Sequence, residues 1–269
     1  MSIEVQAVAG GALSDAEVGE YLDRIGLSGR PALAELTRAH VEAIPFENVD
    51  VVLGRHRGIG LDAVVDKLVR RRRGGYCYEH ARLFAAVLER LGYPVRTVMA
   101  RVQADRGGPR THRALIVDDQ LVDVGFGAGM LVPMPLRDGA VVDQAGWEHR
   151  LEREPDGQWT LVRPTRAGEE RAYLLDPRPS QPADDEVAHH YTPTHPSSPF
   201  TGQLVVMRLA PGVSRRLVRH TLTTEHADGR VEEVPVDDVV DVLASLDVDL
   251  ARDEAAALRD WWSTQDRDR

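Results

Sequence analysis

Cys77 is the only cysteine in the chain, and it stands where a glycine pair gives way to a helix. Arg70-Arg71-Arg72-Arg73 and Gly74-Gly75 precede it. Leu83, Phe84, Val87, Leu88 and Leu91 follow as an apolar stripe at helical spacing, and Gly92 and Pro94 stop that helix. A thiol at a helix N-terminus meets unpaired N–H groups and the positive end of the macrodipole, an environment that favours thiolate. This is a place for a nucleophile. A structural thiol more often lies in mid-helix on the apolar face.

A sulfur nucleophile needs a base, and the base needs a group to orient it. The chain has ten histidines. His112 opens a predicted strand, and Asp118-Asp119 leads into a second, Leu121-Val122-Asp123-Val124. A two-residue hairpin loop there sets Val117 opposite Gln120 and Ala114 opposite Asp123. His112 shares a face with Ala114, so His112 and Asp123 become diagonal neighbours. A slip of one residue would put them on opposite faces. Asp123 interrupts an apolar strand, where a lone carboxylate is costly, and His112 supplies its partner. The loop Gly125-Phe126-Gly127-Ala128-Gly129 follows, open enough for backbone N–H groups to approach an oxyanion or a cofactor phosphate.

The elements that must carry these residues change character along the chain. Ser14-Asp15-Ala16-Glu17 is a capping box, followed by Val18, Tyr21, Leu22 and Ile25. Pro31 suits the first position of a second helix with Leu33, Leu36 and Val41. Leu61, Val64, Val65, Leu68 and Val69 mark a third helix, and the fourth begins near Cys77. From Val95 to Gln103 the period becomes two, in a strand apolar on much of both faces. His112 to Val117, Leu121 to Val124, Trp159 to Val162 and Arg171 to Leu175 follow as short strands between turns, which suggests a small barrel or curled sheet. Residues 176–200, rich in Pro, Asp, His and Ser, read as a long ordered connection. Gln203 to Leu209 and Leu217 to Thr224 read as strands with a hairpin toward Gly229. Pro235 opens a helix through Leu243, and a last helix covers about Asp253 to Trp262, with fraying from Gln265.

The net charge of -10 argues against a nucleic-acid backbone as partner, which would need a basic face. Lys67 is the only lysine; nearly all positive charge is arginine, read here as a coding bias. One cysteine permits no internal disulfide. Met1 to Gly11 lacks a basic and apolar leader, and no apolar run approaches the ~20 residues of a membrane helix. The expectation is a cytoplasmic protein without a membrane partner. His189, His190 and His195 invite a metal reading, but no second cysteine or acidic ligand stands at fitting spacing, so no metal is expected.

Five stretches together resemble the arylamine N-acetyltransferase family. Arg73 to Glu79 is similar to its arginine-glycine-glycine-x-cysteine-x-glutamate signature. Thr111-His112 with Leu115 and Val117 resembles its histidine strand, and Leu121 to Gly127 its aspartate strand and glycine loop. Ile44-Pro45-Phe46-Glu47-Asn48-Val49 matches its helical-domain motif, and Thr194, His195, Pro196, Ser198 and Phe200 a later segment. The matches run in the family's order from residue 44 to 200.

The resemblance implies an α+β fold of three parts around a cysteine-protease-like catalytic core. These are an N-terminal helical bundle over 1–93, a central β-barrel over 94–200 and a C-terminal α/β lid over 201–269. It implies that Cys77 is the nucleophile, His112 the acid/base and Asp123 the orienter. It also implies ping-pong transfer of an acetyl group from acetyl-CoA, through a Cys77 thioester, to an aromatic amine, hydrazine or hydroxylamine. Phe46, Phe126, Gly127 and Phe200 are the implied substrate- and cofactor-binding residues. Glu79 reads as a structural anchor, with Arg73 as a candidate partner, and Glu47 and Asn48 as hydrogen bonders for the loop. The four arginines read as a helix end facing solvent, with attraction of CoA phosphates as a secondary role.

Three positions depart from the family pattern. Ala81 replaces an asparagine two residues past the glutamate, and His189 stands where asparagine is frequent; Pro193 also breaks the later segment. The same triad also serves relatives that are amide synthases, which release a polyketide chain from an acyl carrier protein as a macrolactam. A cysteine hydrolase, with water as acceptor, is a third reading, and a non-catalytic binding module a fourth.

Overall fold

The computed structural model describes residues 11–127 and 129–265. The expected leaderless start before Gly11, Ala128 of the glycine loop and the expected fraying beyond Gln265 lie outside the described residues.

The first part is helical: α1 (Asp15–Arg24), α2 (Leu33–Ala43), α3 (Val49–Val52), α4 (Leu61–Val65) and α5 (Cys77–Arg90). Ser14 and Glu17 close the expected capping box on α1. Pro31 is not the first residue of the second helix: α2 begins at Leu33 with Ala32 as its cap. The third predicted helix continues past Val65 as a π-helical turn over Asp66–Arg70. The buried faces of α1, α2, α4 and α5 form one core, which also receives Leu115, Val117, Val122 and Val124 from the sheet beyond.

Within the helical part lies β1 (Phe46–Glu47), so the Ile44–Val49 motif is a short strand leading into the helical turn α3. The barrel strands are β2 (Val95–Val102), β3 (Arg110–Val117), β4 (Gln120–Val122), β5 (Met134–Pro135), β6 (Ala140–Asp143), β7 (Glu148–Arg153), β8 (Trp159–Thr165) and β9 (Gly168–Asp176). Their antiparallel order is β5-β4-β3-β2-β9-β8-β7-β6, and the two edges, β5 and β6, approach each other, so the sheet is nearly closed. Its interior holds Val98, Ala100, Ala114, Ile116, Leu161 and Tyr173 among others. β5, β6 and β7 escape the sequence reading because two of them are four residues or fewer, too short to display a period.

The expected connection over 176–200 contains a helix, α6 (Pro182–Thr194). Its apolar face is sparse, but Pro182 occupies a first-turn position, and Asp184 and Asp185 complement the helix N-terminus. The C-terminal part, expected as a lid, contains β10 (Val205–Ala210), β11 (Val213–Val218), β12 (Thr221–His226) and β13 (Val231–Pro235), then α7 (Val239–Ser245) and α8 (Arg252–Ser263). The predicted strand Leu217 to Thr224 is two strands, broken by a turn in which Arg219 takes φ 55. Pro235 ends β13 instead of opening a helix; Asp238 caps α7 by accepting from Val240 N. β1 joins the lid sheet at its edge, pairing Phe46 with Met207 and Glu47 with Val206. No helix among the described residues is long and apolar enough to cross a membrane.

Candidate active site

Cys77 is the first residue of α5, after the extended cap residue Tyr76. Tyr76 N donates to Glu79 Oε2 at 3.1 Å, which ties the first turn to the loop before it. The glycine pair is sterically required. A β-carbon on Gly74 would sit 2.2 Å from Pro45 O, and one on Gly75 2.8 Å from Glu79 Oε2. Across from Cys77, a β-carbon on Gly125 would lie 2.9 Å from Cys77 Cα.

The β3–β4 hairpin has the two-residue turn, with Asp118 and Asp119 at φ 47 and 57 and Val117 facing Gln120. β4 ends at Val122, so Asp123 stands just beyond the strand, where its carboxylate reaches inward. His112 Nε2 donates to Asp123 Oδ2 at 2.7 Å, while Asp123 Oδ1 accepts from Gly125 N at 3.1 Å. Cys77 Sγ donates to Thr111 O at 3.9 Å, and the thiol lies near enough to His112 to favour its charged form. All three side chains are nearly sealed from water, at 4, 3 and 2% exposure for Cys77, His112 and Asp123. Burial disfavours a charged imidazole, but the Asp123 carboxylate outweighs it and Cys77 adds to the effect. The His112 pKa is pushed up to about 10.

Beneath the loop lies a buried cluster of charges. Arg73 is 1% exposed, so it does not face solvent with its neighbours. It donates to Glu47 at 2.9 Å and Asp50 at 3.2 Å, and pairs with Glu254 of the lid at 2.9 Å. Glu79 pairs with Lys67, 3.0 Å to each oxygen, rather than with Arg73. Lys67 also approaches Asp50 at 3.4 Å and Glu47 at 3.8 Å. Burial would raise the Glu79 carboxyl, but Lys67 and then His56 overcome it and hold it near 2. Sequence reasoning missed Lys67; its being the sole lysine of an arginine-rich chain was the available signal.

Phe46 and Phe200 pack in one cluster with Cys77, and Phe126 packs on His112. Phe126 meets the His112 ring edge-on at 5.1 Å, packs on Tyr173 at 5.1 Å and lies under Arg163 at 5.3 Å. Gly127, at φ 80, passes so near the lid that a β-carbon would be 2.6 Å from Met207 Sδ. Phe46 and Phe200 are 5.9 Å apart, ring to ring. Asn48 fastens the Phe200 segment: its amide donates to Phe200 O and Gln203 O at 3.0 and 2.8 Å and accepts from Val205 N at 2.7 Å. His189 lies 2.5 Å from the Tyr76 hydroxyl through Nδ1, while His195 stacks on Tyr191. Among the described residues, no three His, Cys, Asp or Glu side chains gather to hold a metal ion.

Two hollows flank the site. One of about 590 Å³ runs along α6 and includes Thr111, Met99 and Ala188. The other, about 300 Å³, lies between the β8–β9 turn and the lid, with Arg163, Arg166 and Arg216 on its walls and Gly129 at its edge.

Comparison with known proteins sets the class. Residues 31–252 match the family model described as N-acetyltransferase. The chain is 36% identical over 248 residues to the arylamine N-acetyltransferase of Mycolicibacterium smegmatis, spanning 86% of this chain and 90% of that one. It is similar in structure to the Nocardia farcinica arylamine N-acetyltransferase, with TM-score 0.84 and 38% identity over 91% of this chain and 95% of that one. It is also similar to the Mycobacterium marinum arylamine N-acetyltransferase in complex with CoA, with TM-score 0.79 and 31% identity over 93% and 96% of the two chains. The chain belongs to the arylamine N-acetyltransferase family.

Proposed function

We propose that the protein is an acetyl-CoA-dependent arylamine N-acetyltransferase working by ping-pong transfer through Cys77. The observation that carries this reading is the buried juxtaposition of Cys77, His112 and Asp123, with His112 Nε2 held by Asp123 and Cys77 near enough to favour the charged imidazole. That arrangement is the logic of a cysteine-protease-like core. The division into a bundle over 1–93, a barrel over 94–200 and a lid over 201–269 belongs to the same proposal.

In the first half-reaction, the Cys77 thiolate attacks the acetyl carbonyl of the donor. The carbon–sulfur bond to CoA breaks, and His112, protonated beforehand, gives its proton to the departing CoA sulfur. The product is a thioester, near in energy to the donor, so the step is reversible and the acetyl group stays reactive to amines. In the second, the amine nitrogen attacks that carbonyl, His112 accepts the amine proton, and Cys77 leaves as thiolate. Asp123 holds the ring and stabilises its charged form throughout. The hollow beside the β8–β9 turn offers Arg216 to the phosphates of CoA, with Arg163 and Arg166 already paired to Glu170 and Glu233, whereas Phe46, Phe126 and Phe200 offer flat walls to an aryl ring.

The deciding experiment is intact mass after mixing with acetyl-CoA, beside a Cys77→Ser control. One acetyl group on the native chain alone, discharged by an arylamine or hydrazine, is the expected result. A folded protein with a reactive Cys77 but no adduct would exclude acetyl-CoA as donor. Discharge by water as fast as by amine would make the protein a hydrolase.

A further inference from the structure

A line of buried polar groups used by neither the triad nor the charge cluster stands behind the nucleophile. Tyr21 of α1, His40 of α2 and His80 of α5 are all fully buried. The Tyr21 hydroxyl lies 2.9 Å from His40 Nδ1, and His40 Nε2 lies 2.8 Å from His80 Nδ1. His80 Nε2 ends the line, 3.0 Å from Gly75 O and 3.3 Å from Pro45 O.

The chemistry of the end group fixes every proton. Carbonyl oxygens only accept, so His80 Nε2 carries hydrogen and His80 Nδ1 accepts. His40 Nε2 must then donate, its Nδ1 accepts, and the Tyr21 hydroxyl donates. This single order satisfies all members with both rings neutral. Burial, which pushes both imidazoles below their ordinary range, agrees with it.

The two carbonyls at the end are those that build the nucleophile loop. Gly75 N donates to Pro45 O at 3.2 Å and Glu47 N donates to Gly75 O at 2.8 Å, a parallel bridge between Gly75 and Phe46. The His80 N–H spans both oxygens, and its ring lies parallel to that of Phe46, 3° between planes. From this bridge the chain runs through Tyr76 directly into Cys77. The neighbouring position, where the family signature carries asparagine, is the buried Ala81, packed in the apolar core with nothing to donate.

We propose that His80 is a positioning residue: its N–H locks the Gly75–Pro45 bridge and thereby holds the Cys77 thiol in register with His112. The proposal rests on the acetyl-transfer reading of Cys77, and its test is separable from that reading. Imidazole ¹⁵N shifts of the native protein at pH 7 should show His40 and His80 both neutral with hydrogen on Nε2. A His80 carrying hydrogen on Nδ1, or charged, would overturn the relay without any variant.

His80→Leu should then lower kcat by roughly 10²-fold, with KM for acetyl-CoA within about twofold, the size expected of a nucleophile misplaced by about 1 Å. Alkylation of Cys77 by iodoacetamide should slow by a similar factor in protein that circular dichroism shows to be folded. His80→Gln, whose amide can donate to the same carbonyls, should recover most of both rates. Unchanged rates in His80→Leu, a loss matched by the loss of folded protein, or no recovery in His80→Gln would each overturn the proposal. If the native protein alkylates at Cys77 but transfers no acetyl group, acetyl transfer fails as the function. The alkylation comparison still judges His80.

Discussion

Asp123 holds His112 with one carboxylate oxygen and Gly125 N with the other. A single side chain thus links the His112 imidazole to the loop that passes against Cys77. We expect Asp123→Asn to remove the pull that keeps His112 protonated. Burial then dominates and the imidazole pKa should fall below its ordinary 6.5. Acetyl transfer should fall by roughly 10³–10⁴ in kcat, as for other triads that lose the orienting carboxylate. Imidazole NMR titration and steady-state rates check the two halves separately.

Gly125→Ala would place a methyl 2.9 Å from Cys77 Cα and 3.0 Å from Cys77 O, both backbone atoms that cannot swing aside. The expected result is a displaced helix start and a loss of roughly 10²-fold in the rate of Cys77 acetylation, with the fold retained. Single-turnover mass spectrometry with acetyl-CoA measures it. Acetylation at the native rate would mean that the loop gives way freely.

Lys67 is buried and faces three carboxylates. Lys67→Met keeps the volume and removes the charge, leaving Glu79 unpaired by its main partner. Breaking a buried pair from one side costs about 3–5 kcal/mol. The midpoint of urea unfolding should fall accordingly, and the variant should also lose activity, because Glu79 ties down Tyr76 N.

The same groups set opposite pH limits on stability. The folded value for Glu79, near 2, lies below its ordinary 4.5, so its pairing stabilises fully above about pH 4.5 and is lost as pH falls toward 2. The folded value for His112, about 10, lies above 6.5, so its pairing stabilises fully below about pH 6.5 and is lost as pH rises toward 10. Thermal melts across pH 3–10 should show Lys67→Met flattening the acid limb and Asp123→Asn the alkaline limb.

Phe126 meets the His112 ring edge-on and is itself only half-buried. Phe126→Ala should raise KM for an arylamine by roughly tenfold, about 1.4 kcal/mol of lost contact, and leave acetylation of Cys77 by acetyl-CoA within about threefold. A larger effect on acetylation than on amine KM would place the ring in support of His112 instead.

What the sequence by itself determined was local and periodic. The helix start at Cys77, the hairpin at Asp118-Asp119 and the diagonal of His112 and Asp123 follow from chain geometry within a few residues. A period of two cannot be shifted without moving a charge onto the wrong face. The change from helices to short strands was legible for the same reason. α6 was not, because its few apolar residues give a weak stripe and its stability comes from packing against β3.

Tertiary structure alone decided the partners of charges far apart in the chain. Arg73 and Glu79 lie six residues apart in one motif, yet each pairs elsewhere, Arg73 with Glu47, Asp50 and Glu254, and Glu79 with Lys67. The role of His80 was hidden likewise. Nothing in its neighbours on α5 predicts that His40 and Tyr21, from two other helices, complete its hydrogen bonds. A buried polar group must be satisfied by something, but the sequence does not say by what; only the packing of the helices brings the donor within reach.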